Sequence, residues 1–321
     1  MKKGIISLGL VAAMGVTVLA GCSSQEKVIN ISVPKSAQEL AESVVNNMEN
    51  VSSFTAVTTE VLKGDMKIMG ETIGTDMDLK MDTKAYSEGK DDISYTKMEV
   101  KSTITGLEAI APEAGDSSTN AIYEMYSKGN EDDGKYTVYA KEPDSKWTKS
   151  EVNIAPDVLN GQISLCNEVA KGRAEATFTE DTEKVNRKDV YKMEIIASGD
   201  YLMNLLGGIS VTGIADADTP ELKALKIPVT LYIEKDTKYV AKMEIDAKEI
   251  GEQMFNQMSG GASSVEGFSI ELKDFKLETV FDSYNLVPKF EISERILREA
   301  GDAPEKNPAN TTADDTTESA G

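Results

Sequence analysis

Apolar residues recur at spacings of three and four through Ala37, Leu40, Ala41, Val44, Val45, Met48 and Val51. That period predicts an amphipathic helix over 36–51. Ser36 followed by Glu39 has the form of a capping box at its start. The period then changes to two. Residues 75–82, TDMDLKMD, set Met77, Leu79 and Met81 on one side of an extended chain and Asp76, Asp78, Lys80 and Asp82 on the other. Strands are predicted at 53–69, 71–84 and 91–105, with breaks at Gly70, Gly74 and Gly89. Within 91–105, Ile93 and Tyr95 share one parity and Met98, Val100 and Ile104 the other, which predicts a bulge. Further strands are expected at 120–128, 134–141 and 146–152, divided by GNEDDG and Pro143-Asp144, both rich in turn formers.

A second helical stripe runs through Leu159, Ile163, Cys166 and Ala170 behind Pro156, predicting a helix over 157–170. Strands resume at 174–181 and 189–197, and Asp200 opens a short leucine-rich helix ended by Gly207-Gly208. Two alternations follow: Ile227, Val229, Leu231 and Ile233, then Tyr239, Ala241, Met243, Ile245 and Ala247, with a hairpin turn between them. A helix over 248–258 precedes a long strand from Phe268 to Phe281. In that strand the inward parity switches between Leu272 and Phe275, which predicts a second bulge. Helix followed by strands therefore occurs twice, over 36–152 and 157–285, without a fixed period. We read one α+β domain over 36–300, with a strongly curved antiparallel sheet covered by a few amphipathic helices.

The two ends differ from this body. Lys2 and Lys3 precede an apolar run from Ile5 to Leu19, as in a secretory leader. Leu19-Ala20-Gly21-Cys22 resembles the bacterial lipobox, in which the cysteine is diacylated and becomes the first residue of the mature protein. The resemblance implies a leader over 1–21, lipidation at Cys22, a tether over 22–35, and anchoring on the outer face of the cell membrane. Two acyl chains hold a protein on a bilayer where one does not. At the other end, residues 301–321 contain, apart from Pro304 and Pro308, no apolar side chain larger than alanine and read as a disordered acidic tail.

Composition removes whole classes of function. The chain has 55 acidic against 34 basic residues, a net charge of −21, so nucleic acid is excluded as a partner and anionic headgroups should repel the body. The absence of histidine excludes histidine-based triads, zinc sites with histidine ligands and histidine pH switches. Of the two cysteines, Cys22 is taken by the lipid and Cys166 falls on a helical core stripe, so no disulfide is expected.

Ser94-Tyr95-Thr96-Lys97 matches the S-x-x-K pattern of penicillin-recognising enzymes, but a strand sends its first and fourth residues to opposite faces. The acidic loops 130–134 and 216–221 lack the ligand spacing of an EF-hand. No metal, cofactor or catalytic group is expected, and the chain reads as a non-enzyme. Trp147, the one tryptophan, is expected to pack at a sheet edge.

A lipobox, a spacer, a capped helix, long methionine-bearing hairpins, KWTK at the end of the first half and LYIEKDTKYVAKMEI in the second together resemble extracytoplasmic lipoproteins of the LolA, LppX and LprG type and their Gram-positive branch. The resemblance implies an incompletely closed antiparallel half-barrel wrapped around helices, with a cavity for a lipid or other apolar ligand. Methionine suits such a cavity, being flexible and tolerant of variable partners. The expected lining is Met66, Ile68, Met77, Leu79 and Met81 from the first half and Leu231, Ile233, Met243 and Ile245 from the second. The alternative is a cell-envelope structural or protein-interaction module in which these residues fill a core.

Overall fold

The computed structural model describes residues 33–88, 91–106, 108, 115–129, 135–152, 158–180, 184–198, 224–249, 251–252 and 269–302, all within the unit that begins at Val33. The leader, the lipobox, the predicted helix after Asp200, both acidic loops and the tail beyond Asp302 lie outside these residues.

Ser36 caps α1 (Ala37–Met48), its hydroxyl accepting from the Glu39 amide at 3.2 Å. The Glu39 carboxylate accepts from the Lys35 amide at 2.8 Å, so the capping box closes one residue earlier than its usual form. Leu40, Ala41, Val44 and Met48 are buried, as the stripe requires.

The chain then forms β1 (Ser53–Ile68), β2 (Glu71–Glu88), β3 (Asp91–Thr105), β4 (Ser117–Gly129), β5 (Tyr136–Lys141) and β6 (Thr148–Val152). After α2 (Val158–Ala170) come β7 (Glu175–Thr179), β8 (Lys184–Val185), β9 (Lys188–Ser198), β10 (Lys226–Glu234), β11 (Val240–Asp246) and β12 (Ser269–Asp282). A short α3 (Glu294–Glu299) and β13 (Gly301–Asp302) finish the described chain. One sheet runs in the order β13-β6-β5-β4-β3-β2-β1-β12-β11-β10-β9-β7, with β8 paired to β9. Every pairing is antiparallel except β13 with β6. The sheet curls without closing. This is the expected α+β half-barrel, its two halves joined by the pairing of β1 with β12.

Met69 and Gly70, with φ of 52° and 91°, make the two-residue turn between β1 and β2. Gly74 does not break β2: it pairs with Asp65 and Thr105 inside the sheet. The bulge predicted in β12 is present, since the register steps from Lys63↔Asp274 to Gly64↔Leu272 and leaves Lys273 over. Gly64 permits the close approach, because a Cβ there would lie 3.0 Å from the Glu271 carbonyl oxygen.

The bulge predicted in β3 is absent. Its register with β2 is unbroken from Gly74↔Thr105 to Glu88↔Asp91. The parity changes because the buried face changes: Ile93 packs on the outer face with Trp147, Ile292 and Ile296, whereas Met98, Val100 and Ile104 point inward. Trp147 thus packs at the sheet edge as expected, under α3. A bulge that the alternation did not predict occurs in β11, where the register passes from Tyr232↔Lys242 to Ile233↔Val240. Ala241 is therefore turned outward beside Val190 and Tyr232, and Val240 takes the inward place. Gly301 and Asp302, the first two residues of the predicted tail, pair with Thr148 and Lys149.

The main core joins α1 and α2 to the inner faces of β9–β12 and to Phe54 and Ala56 at the start of β1. No residue of β3, β4 or β5 belongs to it.

Candidate functional site

Directly paired residues of an antiparallel sheet share a face, so the registers trace rows of inward side chains across both halves. One row runs Leu231, Met243, Thr279, Thr58, Met81, Met98, Tyr123. The next runs Ile195, Val229, Ile245, Leu277, Glu60, Leu79, Val100, Ala121. A third includes Phe275, Leu62, Met77 and Ser102, and Met66 opposes Ile73 farther along β1. The registers accordingly bring every expected lining residue to the same face of one sheet.

Packing divides them. Leu231, Ile233, Met243 and Ile245 are 0–2% exposed and belong to the core under α1 and α2. Leu79 and Met81 are each 7% exposed and lie outside that core cluster. Met66, Ile68 and Met77 are partly exposed, as are Met98, Val100 and Met125 beside them. The structure therefore narrows the candidate site to the inner face from β1 to β4.

Polar chemistry on this face is sparse. Thr58 and Thr279 are buried and hydrogen-bonded to each other at 3.0 Å. Glu60 is 8% exposed. It is flanked by Thr58 and Leu62 along β1 and by Leu79 and Leu277 across it. No hydrogen bond or ion pair from the described residues reaches its carboxylate, and burial pushes its pKa above the ordinary 4.5. The cations of the surrounding strands are engaged on the outer face: Lys63 with Asp76 at 3.1 Å, Lys80 with Asp82 at 3.1 Å and Lys276 with Asp274 at 3.1 Å. Glu60 was not among the expected residues. The signal was present, for it occupies the inward parity of Phe54, Ala56, Thr58 and Leu62.

Gln162 also went unforeseen. It lies on the stripe of α2 that buries Leu165, Cys166 and Val169, is 0% exposed, and neither polar atom of its side chain has a hydrogen-bond partner among the described residues. Ser127, inward on β4, has an unpartnered buried hydroxyl. Cys166 is fully buried and its thiol is pushed up to about 12 by that burial, which makes it a small core hydrophobe. Ser94 and Lys97 leave opposite faces of β3, and the Lys97 ammonium pairs with Glu99 at 2.7 Å. Among the described residues there is no group of three or more acidic or thiol ligands placed to hold a metal ion.

No protein-family model matches the sequence, and no curated protein matches it. Solved structures similar to it include two proteins of unknown function. One is a DUF1329 family protein from Desulfovibrio piger, with 10% identity over 79% of this chain and 93% of that one and a TM-score of 0.26. The other is a beta-barrel-like protein of domain of unknown function DUF1849 from Brucella abortus, with 7% identity over 72% of this chain and 96% of that one and a TM-score of 0.25.

Proposed function

We propose that this protein is a membrane-anchored extracytoplasmic lipoprotein that binds a lipid or other apolar ligand, without catalysis, on the inner face between β1 and β4. The observation that supports this reading most is the set of methionines, Met66, Met77, Met81, Met98 and Met125, on an inward face outside the helix-packed core. Lipidation of Cys22 would hold the body at the outer face of the cell membrane. A carrier in that position must match the bilayer: a diacyl lipid with about 30 methylenes gains roughly 24 kcal/mol on leaving water, and the membrane offers the same gain. An adaptable apolar surface brings exchange near balance.

The low exposure of Leu79 and Met81 favours a second reading, an envelope interaction module whose interior is filled. Native mass spectrometry of the chain from Ser23, which lacks the lipidated Cys22, purified from a lysate containing membranes and then extracted with solvent, separates the two. Near-stoichiometric acyl lipid, lost in folded Met77→Asp, is the result expected of a carrier. Bare protein that stays bare after incubation with phospholipid vesicles would reject it.

A further inference from the structure

Among the inward positions of β1 from Phe54 to Met66, of β2 from Ile73 to Ala85, of β3 from Ser94 to Ile104 and of β4 from Ser117 to Ser127, Glu60 is the one charged side chain. The inward residues of β12 and β11 beside it add none: Leu272, Phe275, Leu277, Thr279, Phe281, Met243 and Ile245. A carboxylate surrounded by apolar side chains and left without a partner is costly, and it persists where something supplies the missing charge or hydrogen bond. The neighbouring hydroxyls of Thr58 and Thr279 bond to each other and not to Glu60, and the nearby lysines are held on the far side of the sheet.

We propose that Glu60 is the polar anchor of the apolar site and that the ligand bears a cationic amine head on an apolar body. The inference rests on the apolar-ligand reading above and adds the chemistry of the head group. A chain of net charge −21 draws cations and repels phosphate or carboxylate heads. An ammonium on Glu60 would also form a charge-assisted hydrogen bond at a largely buried position, where such bonds are stronger than in bulk water. The apolar body then extends along the row of Leu79 and Val100 and over Met77 and Met81.

Calorimetric titration of the chain from Ser23, which lacks the lipidated Cys22, with dodecylamine and with dodecanol, both below their aggregation limits and at physiological salt, tests this. The wild-type protein should bind the amine about tenfold more tightly than the alcohol. Glu60→Gln should erase that preference, and a urea midpoint no lower than that of the wild-type protein shows that the variant is folded. Asp76→Asn, on the outer face, should keep the preference. Equal binding of the two probes by the wild-type protein, a preference that survives Glu60→Gln, or an equal loss in both variants would overturn the anchor and leave the apolar-ligand reading standing. Failure of both probes to bind would overturn both.

Discussion

Leu231 and Met81 lie in the same inward row, separated by Met243, Thr279 and Thr58, yet they belong to different kinds of surface. Around Leu231 the inward residues are Ile227, Val229, Ile233, Met193 and Ile195, all at most 3% exposed and packed beneath two helices. Around Met81 they are Met77, Leu79, Thr83, Met98 and Val100, of graded exposure and outside that cluster. Branched residues have few rotamers and suit a fixed partner. Methionine has three rotatable bonds and suits a variable one. The same inward face therefore has one region packed beneath helices and one lined by adaptable methionines outside that core, and the lone carboxylate stands at their border.

The sharpest way to break the comparison is truncation on each side. Leu231→Ala should destabilise the protein by about 3 kcal/mol, the cost of a cavity in a packed core, and Met77→Ala by less than about 1 kcal/mol, both read from urea unfolding. Equal losses would mean that the methionine face is core. A smaller effect of opposite sign is expected on the helix side. Gln162→Met keeps the side chain's length and removes two unpartnered polar atoms, so it should stabilise by about 1–2 kcal/mol. An unchanged or lower midpoint would show that those atoms are satisfied in solution.

The third and smallest effect depends on pH. Burial raises the Glu60 pKa in the folded protein above 4.5, so the native state holds the proton more tightly than the unfolded chain. Stability from this group is then present at low pH and falls as pH rises through the window between 4.5 and the raised value. Glu60→Gln should accordingly stabilise the protein at pH 7.5, by about 1 kcal/mol, and the gain should shrink as pH drops toward 4.5. A gain that does not vary with pH would show that Glu60 does not change its charge in that window.

Much of the architecture was legible because the apolar periods are long. The stripe of α1, the hairpins of the first half and the bulge of β12 follow from spacing alone. Parity switches are where reading failed, since an extra residue and a change of buried face leave the same mark. In β12 the first applies, with Lys273 left over; in β3 the second, because the segment carrying α3 covers the outer side at Ile93. Ala241 shows the converse error: a clean alternation with Met243 hid a bulge, because alanine fits either face. The candidate site was half legible. Parity put its residues on one common face, but which of them the helices cover is decided by contacts far apart in sequence. Glu60 was passed over because a charged residue between strands of apolar pattern reads as surface.

The pairing of β1 with β12 joins Thr55 to Asp282, across most of the described chain. Synthesis proceeds from the N-terminus, so β1 can zip onto β2 at once while its other edge waits for one of the last strands made. An open edge of this length is a template for pairing with other chains, and contacts so distant close slowly. The seam at the centre of the finished sheet is thus the edge that stays open longest in a nascent molecule, and Lys63, Asp65 and Lys67 place along it the kind of charges that disfavour pairing with other chains.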